Sequence, residues 1–133
     1  MNEIQQVETA IEQDSGLLVW DKVALLKRIS NNEKLLNMLV DVFINEHEQR
    51  LVDLQYAIDM SNIDEVRHLA HTLKGMAANL GGLALQHQAS EMEVAATEQN
   101  RVLMKSLMPA VLKANAALLI VFKRYKQASL NIN

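Results

Sequence analysis

Apolar residues recur every three or four positions along most of the chain, which is the spacing of amphipathic helices. Short polar breaks such as Ser30-Asn31-Asn32 and Ser61-Asn62 divide this pattern into six predicted helices. The helices are predicted at about residues 4–11, 21–29, 33–58, 65–80, 83–98 and 101–127. Four of them are long and are joined by short connections. We therefore expect an all-α fold, an antiparallel four-helix bundle with two short N-terminal helices packed on it.

The helix at about 65–80 carries the most informative face of the chain. Its predicted buried stripe comprises Val66, Leu69, Leu73, Ala77 and Leu80. At about 100° per residue, His71 points away from that stripe. Its neighbours on the solvent side are Asp64, Arg67, Lys74, Gly75 and Ala78. A glycine inside a helix costs about 1 kcal/mol relative to alanine, so Gly75 indicates a place where a partner approaches the backbone. Asn79-Leu80-Gly81-Gly82 predicts a left-handed cap at the end of this helix.

The composition supports a single helical domain. Of the 133 residues, 50% are hydrophobic but only 4% are aromatic, so the core must consist of aliphatic side chains and methionine. One proline and four glycines leave little of the chain for turns. We expect the four-helix-bundle domain to span residues 17–127. Residues 1–16 are either an N-terminal helix or a linker, and residues 128–133 are expected to form a frayed tail.

Charge and composition exclude several classes of function. The net charge is −3 and the cations are spread along the chain, which argues against a nucleic-acid partner. The absence of cysteine excludes disulfides and thiolate metal sites. The longest apolar run, Ala116 to Phe122, is far shorter than the roughly 20 residues of a membrane span. No secretory signal is recognisable. We expect a cytoplasmic domain that makes no membrane contact.

The four histidines raise the question of a metal site. Glu65 and His68 match one Glu-x-x-His element of di-iron bundles, but the second element is missing, so we expect no metal. The chain has neither a nucleophile elbow nor a glycine-rich phosphate loop, and nothing in it is recognisable as an ATP site. What remains is a histidine that acts as a nucleophile toward phosphorus. Lys74 would neutralise phosphoryl charge, and another protein would supply the phosphoryl group.

The histidine segment resembles the signature of a known family. Ala70-His71-Thr72-Leu73-Lys74-Gly75-x-Ala77-Ala78-Asn79-Leu80-Gly81 is similar to the signature of histidine-containing phosphotransfer (HPt) domains of bacterial multistep phosphorelays. The resemblance covers about residues 20–125 and includes Asp21 with Leu25 and Arg28, Leu35-Leu36-x-x-Leu39-x-x-x-Phe43, Leu85 with Met92-Glu93, and Leu107-Met108-Pro109. It implies a carrier whose histidine accepts a phosphoryl group from a receiver-domain aspartate and passes it to another receiver. Such a carrier has no ATP-dependent kinase activity of its own.

The resemblance also implies roles for individual residues. By position, His71 is the phosphoacceptor, Lys74 stabilises the phosphoryl group, and Gly75 is the gap that admits the receiver. Glu93 falls where the family often has a glutamine or glutamate in contact with the histidine ring. His71 and Glu93 are about equally far from the Gly81-Gly82 turn, so antiparallel helices would place them side by side. The alternative role for Glu93 is a solvated surface charge.

Response-regulator receiver domains are the expected partners, as phosphoryl donor and phosphoryl acceptor. They would supply Mg²⁺, and the domain is expected to need no cofactor of its own. Receiver contacts are expected at Arg67, His68 and Ala78. We expect a monomer, either a stand-alone chain or the cytoplasmic module of a membrane-bound hybrid sensor kinase. The alternative function is a helical adaptor that binds a receiver without accepting phosphate, which the presence of both His71 and Lys74 argues against.

Overall fold

The structure, a computed structural model, describes residues 16–132. Within that range the chain forms five helices and no β-strand. The helices are α1 (Lys22–Arg28), α2 (Glu33–Asp59), α3 (Ile63–Leu80), α4 (Leu83–Thr97) and α5 (Arg101–Ile132). The predicted all-α bundle is confirmed. The helix predicted at residues 4–11 lies outside the described residues.

Short polar side chains set where four of the helices begin. The side chains of Asp21, Asn32, Asn62 and Asn100 each accept a hydrogen bond from the backbone N–H three residues further on. This pairing satisfies donors that the first turn of a helix leaves without a partner. The breaks seen in the sequence are therefore the caps of α1, α2, α3 and α5.

The four long helices form a bundle in which chain neighbours are spatial neighbours. α2 packs against α3, α3 against α4, and α4 against α5, while α5 closes the ring by packing against α2. The core is mainly aliphatic, with an aromatic cluster in which Trp20 and Phe43 each meet Phe122 edge to face at 4.9 and 5.2 Å between ring centroids. Two faces of the bundle result, one formed by α3 and α4 and the opposite one by α2 and α5.

The first helix fixes the end of α3. Trp20 is fully buried and donates from Nε1 to the carbonyl of Leu80 at 2.8 Å. The Arg28 guanidinium donates to the carbonyls of Ala78 and Asn79 at 3.0 and 2.9 Å, which places a cation on the negative end of the α3 dipole. Gly81 is the left-handed cap, with φ of 79°, as predicted. A Cβ there would also lie 2.7 Å from the backbone oxygen of Asp21, the residue that caps α1. The start of α1 can therefore pack this closely against the end of α3 only because residue 81 is a glycine.

Three details differ from the prediction. α3 begins at Ile63 rather than near residue 65, because Asn62 caps it. Ala70 is fully buried whereas Leu69 is only half-buried. The buried residues of α3 are spaced alternately four and three apart, which is the spacing of residues that face the core of a helical bundle. The last helix continues to Ile132 rather than ending at Gln127. Ala128 is buried, so the tail that was expected to fray from residue 128 is helical.

A polar pair interrupts the apolar core between α2 and α5. Asn115 is only 3% exposed and lies 3.1 Å through Nδ2 from Nδ1 of His47. Burial lowers the pKa of His47, so its ring stays neutral and can accept this hydrogen bond. This pair explains why the apolar pattern of α2 weakens between Glu46 and Arg50, although the helix itself is continuous.

The composition of α5 follows from its central place in the core. By length and composition alone, Arg101–Leu130 is apolar enough to cross a membrane. Its apolar side chains instead include the buried residues Met104, Met108, Val111, Leu118, Val121 and Phe122. Core packing therefore accounts for the apolar character of this helix.

Candidate functional site

His71 lies at the middle of α3 on the face that looks away from the core. Its side chain is 67% exposed. Gly75 lies one turn further on, and a Cβ built at this glycine would have no atom within 4 Å. The backbone beside the imidazole is therefore bare, as the sequence predicted, and a large partner can approach it closely.

Glu93, on the facing side of α4, contacts both His71 and Lys74 of α3. Its Oε2 is 2.6 Å from Nδ1 of His71, and its Oε1 accepts a hydrogen bond from Nζ of Lys74 at 2.5 Å. The side chain of Glu93 is only 20% exposed. The contact expected between Glu93 and the histidine ring is present, and the alternative of a solvated surface charge does not describe this carboxylate. The bond between Lys74 and Glu93 carried no sequence signal, because charge patterns do not show which cation reaches which carboxylate across two helices.

The charge of Glu93 determines the orientation of the imidazole. The hydrogen bond from Lys74, foremost, and then that from His71 hold the pKa of Glu93 below its usual value, although partial burial opposes the shift. An ionised carboxylate can only accept hydrogen bonds. Nδ1 of His71 is therefore the donor, and in the neutral ring Nε2 is the nitrogen with a free lone pair, directed away from Glu93.

The other residues predicted to meet a partner flank this centre. Arg67 and His68 are exposed about one turn before His71, and Arg67 is paired with Asp64 at 3.0 Å. Ala78 is half-buried one turn beyond Gly75. All three lie on the same helix as His71, so one surface of α3 contains every predicted contact except Glu93.

An open cavity adjoins the site on the α4 side. It has a volume of about 310 Å³ and is lined by Leu17, Lys74, Leu83, Gln86, His87 and Ser90. The sequence did not indicate that α4 residues such as His87 would lie beside Lys74. Across residues 16–132, no group of three or more histidine, aspartate or glutamate side chains is arranged to hold a metal ion.

The sequence profile described as Hpt domain matches residues 38–120 of the chain. The chain belongs to the Hpt domain family. The resemblance inferred from the histidine segment is thereby confirmed. No curated protein matches the sequence significantly.

Solved structures give the same picture. The Hpt domain described here is similar to histidine-containing phosphotransfer protein B (HptB) from Pseudomonas aeruginosa PAO1, with 26% identity and a TM-score of 0.77 over 83% of this chain and 96% of that one. It is also similar to the HPT domain of a sensor hybrid histidine kinase from Shewanella, with 18% identity and a TM-score of 0.65 over 83% of this chain and 92% of the other. At 18% identity, the similarity to this second structure shows a shared fold and nothing more.

As an Hpt domain, the protein is a histidine phosphotransfer carrier of phosphorelays, and the domains with which it interacts are receivers of two-component systems. An Hpt domain is a phosphocarrier and not a kinase. The alternative of an adaptor that binds a receiver without accepting phosphate is not favoured.

Proposed function

We propose that His71 is the phosphoacceptor of this carrier and that Nε2 is the reacting atom. The observation that carries the proposal is the contact between Nδ1 of His71 and the carboxylate of Glu93 on an otherwise exposed face of α3. This contact holds the ring in the tautomer whose Nε2 lone pair is available. It also keeps the imidazole in one orientation although the side chain is largely exposed.

The proposed transfer step conserves charge and protons without a general acid. The Nε2 lone pair of His71 attacks the phosphorus of a receiver's aspartyl phosphate. The Nε2–P bond forms as the bond between phosphorus and the aspartate oxygen breaks, and the aspartate leaves as a carboxylate. The ring becomes positively charged because Nδ1 keeps its proton, and the Glu93 carboxylate at 2.6 Å stabilises this charge. The reverse sequence passes the phosphoryl group to a second receiver.

Lys74 supplies the positive charge closest to the reacting group along α3. It lies one turn beyond His71, and its ammonium is bound to Glu93, 2.5 Å from Oε1. A phosphoryl group on His71 would offer this ammonium a second anionic acceptor. The receiver supplies the Mg²⁺ that neutralises most of the phosphoryl charge. The Hpt domain needs no cofactor of its own for this step.

The receiver docks, in this proposal, over the surface of α3. Gly75 leaves room for its backbone beside the phosphoryl group, because no side chain protrudes there. Arg67 and His68 on one side and Ala78 on the other form the contact surface around His71. One receiver acts as donor and another as acceptor, so both must fit the same surface. The domain acts in the cytoplasm without kinase activity of its own, alone or joined to a hybrid kinase.

Incubation with a phosphorylated receiver domain tests the proposal. The carrier should gain phosphate that is labile in acid and stable in base, as phosphohistidine is. His71→Gln should gain none, whereas His87→Gln, a matched change at an exposed histidine of α4, should still be labelled. Label that persists in His71→Gln would refute the assignment of His71.

A further inference from the structure

The contact between Glu93 and His71 is compatible with only one protonation state of Nδ1. Oε2 of Glu93 lies 2.6 Å from this nitrogen. An ionised carboxylate accepts hydrogen bonds and cannot donate one. If Nδ1 lost its proton, two lone pairs would face each other at this distance, beside a full negative charge. The contact is therefore attractive only while Nδ1 carries a proton.

Lys74 keeps this carboxylate ionised. Its Nζ lies 2.5 Å from Oε1 of Glu93, and this hydrogen bond is the main reason why the pKa of Glu93 is below its usual value. Burial of the carboxylate opposes the shift, and the hydrogen bond from His71 adds to it. The side chain of Glu93 is only 20% exposed, so the solvent screens its charge less than at an open surface. A negative charge thus stays beside Nδ1 throughout the neutral pH range.

The charged groups of α3 near His71 offer its Nδ1 proton no other acceptor. His68 lies about one turn before His71, and Lys74 lies one turn beyond it. Arg67 is paired with Asp64 at 3.0 Å. Lys74 alone would oppose a positive ring, but its ammonium is bound to the carboxylate that the ring shares. The balance of charge at Nδ1 is therefore decided on the neighbouring helices.

On α2, the charged groups nearest to His71 are held by other side chains. Arg50 and Asp53 line a small cavity together with Thr72, the neighbour of His71. Arg50 is paired with Glu46 at 2.9 Å, and Asp53 accepts a hydrogen bond from a glutamine of its own helix at 2.8 Å. These carboxylates of α2 are therefore bound to side chains other than His71.

On α4, Glu93 is the charged residue that faces the ring. The residues one turn before and after it are Ser90 and Thr97, which carry no charge. Glu91 is two positions away and so lies on another side of the helix. Among residues 16–132, the contact of the His71 ring with a carboxylate is the one made by Glu93. Glu93 therefore decides whether Nδ1 keeps its proton.

The Nδ1 proton determines how easily a phosphoryl group leaves the ring. Once Nε2 is bonded to phosphorus, Nδ1 is the ring nitrogen that can carry a proton. With this proton the ring is released from phosphorus as a neutral imidazole. Without it the ring would be released as an imidazolide anion, which is far more basic and a poorer leaving group. An ordinary imidazolium loses a proton near pH 6.5, so a ring without a counter-charge would mostly be the poorer leaving group above about pH 7.

We propose that Glu93 keeps Nδ1 of phosphorylated His71 protonated and thereby makes this carrier a rapid phosphoryl donor rather than a long-lived store. The inference rests on the proposed function, in which Nε2 of His71 is the phosphoacceptor. Glu93 acts through the far side of the ring, so it is a positioning residue. A glutamine at this position would lack the effect, because its amide can donate a hydrogen bond to an Nδ1 that has lost its proton.

The step is balanced in atoms and in charge. An oxygen of an acceptor aspartate, or of water, bonds to phosphorus while the Nε2–P bond breaks, and the electron pair of that bond stays on Nε2. His71 returns to the neutral ring with its proton still on Nδ1. The aspartate becomes an aspartyl phosphate, whereas water gives dihydrogen phosphate, which releases a proton to the solvent near neutral pH.

Hydrolysis of the phosphorylated chain in the absence of a receiver tests the inference. Phosphoramidate, a small phosphoryl donor, labels the purified chain, and fragment-ion mass spectrometry follows the loss of phosphate from His71 after the donor is removed. At about pH 8.5, the wild type should lose phosphate about tenfold faster than Glu93→Gln. At about pH 5 both rings are protonated, and the two rates should agree within about threefold. The midpoint of the rate against pH should lie about one pH unit higher in the wild type.

Control variants separate the charge of Glu93 from other effects. Lys74→Ala leaves the carboxylate to His71 alone, so at about pH 8.5 it should lose phosphate at least as fast as the wild type. Glu91→Gln, at an exposed position of α4, should match the wild type. In concentrated urea Glu93 and His71 are no longer held together, so the wild type and Glu93→Gln should lose phosphate at the same rate. Circular dichroism in buffer should show that every variant is folded.

Three results would overturn the inference. One is an equal rate for the folded wild type and Glu93→Gln at about pH 8.5. Another is a loss of rate in Lys74→Ala as large as that in Glu93→Gln. The third is a difference between the wild type and Glu93→Gln that persists in urea. Failure of both phosphoramidate and a phosphorylated receiver to label His71 would instead refute the proposed function, and this inference with it.

Discussion

His71 and Lys74, one turn apart on α3, hold the two oxygens of a single carboxylate. Nδ1 of His71 lies 2.6 Å from Oε2 of Glu93, and Nζ of Lys74 lies 2.5 Å from Oε1. A change in the charge of His71 or Lys74 therefore alters the electrostatic environment of the other residue, because both bind Glu93. The arrangement of His71 and Lys74 on α3 therefore depends on a residue that α4 contributes.

Replacing Glu93 by glutamine separates its charge from its hydrogen bonding. Glu93→Gln keeps an acceptor for His71 but removes the negative charge opposite the ring. We expect transfer from a phosphorylated receiver to slow about tenfold, since the positive charge that develops on the imidazole loses its counter-charge. Single-turnover kinetics measure this. Glu91→Gln, an exposed neighbour on α4, is the control, and an equal loss there would mean that only the overall charge matters.

The lowered pKa of Glu93 predicts a pH dependence of stability. A carboxyl group whose pKa is lower in the folded state stabilises the fold above its unfolded pKa of about 4.3, and this contribution disappears as the pH falls through the folded value. The free energy of unfolding of the wild type should exceed that of Glu93→Gln by more at about pH 5 than below about pH 4. Urea titrations at each pH provide the comparison. A difference that grows as the pH falls below about 5 would contradict the cause given for the pKa of Glu93.

Lys74 is expected to act on the rate of transfer more than on docking. Lys74→Ala removes one electrostatic contact at a partly wet interface, so transfer should slow about ten- to thirtyfold, or roughly 1–2 kcal/mol. Lys74→Arg should recover part of the loss, because the charge remains but the donor geometry changes. The pKa of Glu93 should rise in Lys74→Ala, since Lys74 is its main stabilising partner. If receiver affinity falls by the full factor while the saturated rate is unchanged, Lys74 is a docking residue.

Gly75 should matter for access rather than for folding. A Cβ at this position meets nothing within 4 Å, so Gly75→Ala should stabilise the helix by up to about 1 kcal/mol. Gly75→Gln should slow transfer because the longer side chain occupies the space that the receiver needs. Ala116→Gln, at an exposed position of α5, supplies the matched control. Wild-type transfer by Gly75→Gln together with early melting would show that the glycine is needed for packing.

Arg28 should stabilise the fold through the end of α3. Arg28→Ala removes two charge-assisted hydrogen bonds to the carbonyls of Ala78 and Asn79, and we expect a loss of about 1–2 kcal/mol in the free energy of unfolding. Lys27→Ala changes the neighbouring exposed cation and should cost less than half as much. Urea denaturation of both variants gives the comparison. Equal losses would mean that general charge on α1, and not the contact with α3, is responsible.

The outline of the bundle could be predicted because local chemistry determines it. Asp21, Asn32 and Asn62 are short polar side chains ahead of apolar runs, and each caps the helix that follows. Gly81 follows the last periodic residue of α3 and takes the left-handed conformation that terminates a helix. These signals lie within a few residues of the structure that they specify.

Features that depend on contacts between distant residues could not be predicted in the same way. Asn115 can be buried because it pairs with His47, which is 68 residues away in the sequence. The bond from Lys74 to Glu93 depends on side-chain reach across two helices. The contact between His71 and Glu93 was predicted by the family resemblance, and the helix register agreed with it. Cations occur along the whole chain, but six of the thirteen lie on α5, where no carboxylate accompanies them. This concentration becomes visible only once the bounds of α5 are known.

Trp20 is a buried intrinsic fluorescence probe of this protein. It is the single tryptophan of the chain, it is fully buried, and its indole is held by the carbonyl of Leu80 at the end of α3. Its fluorescence therefore reports the docking of the first helix on the bundle without any added label. Emission that shifts to the red before the helical signal is lost would reveal a state in which the first helix has detached while the long helices remain. The lifetime of that state could then be followed during phosphotransfer itself.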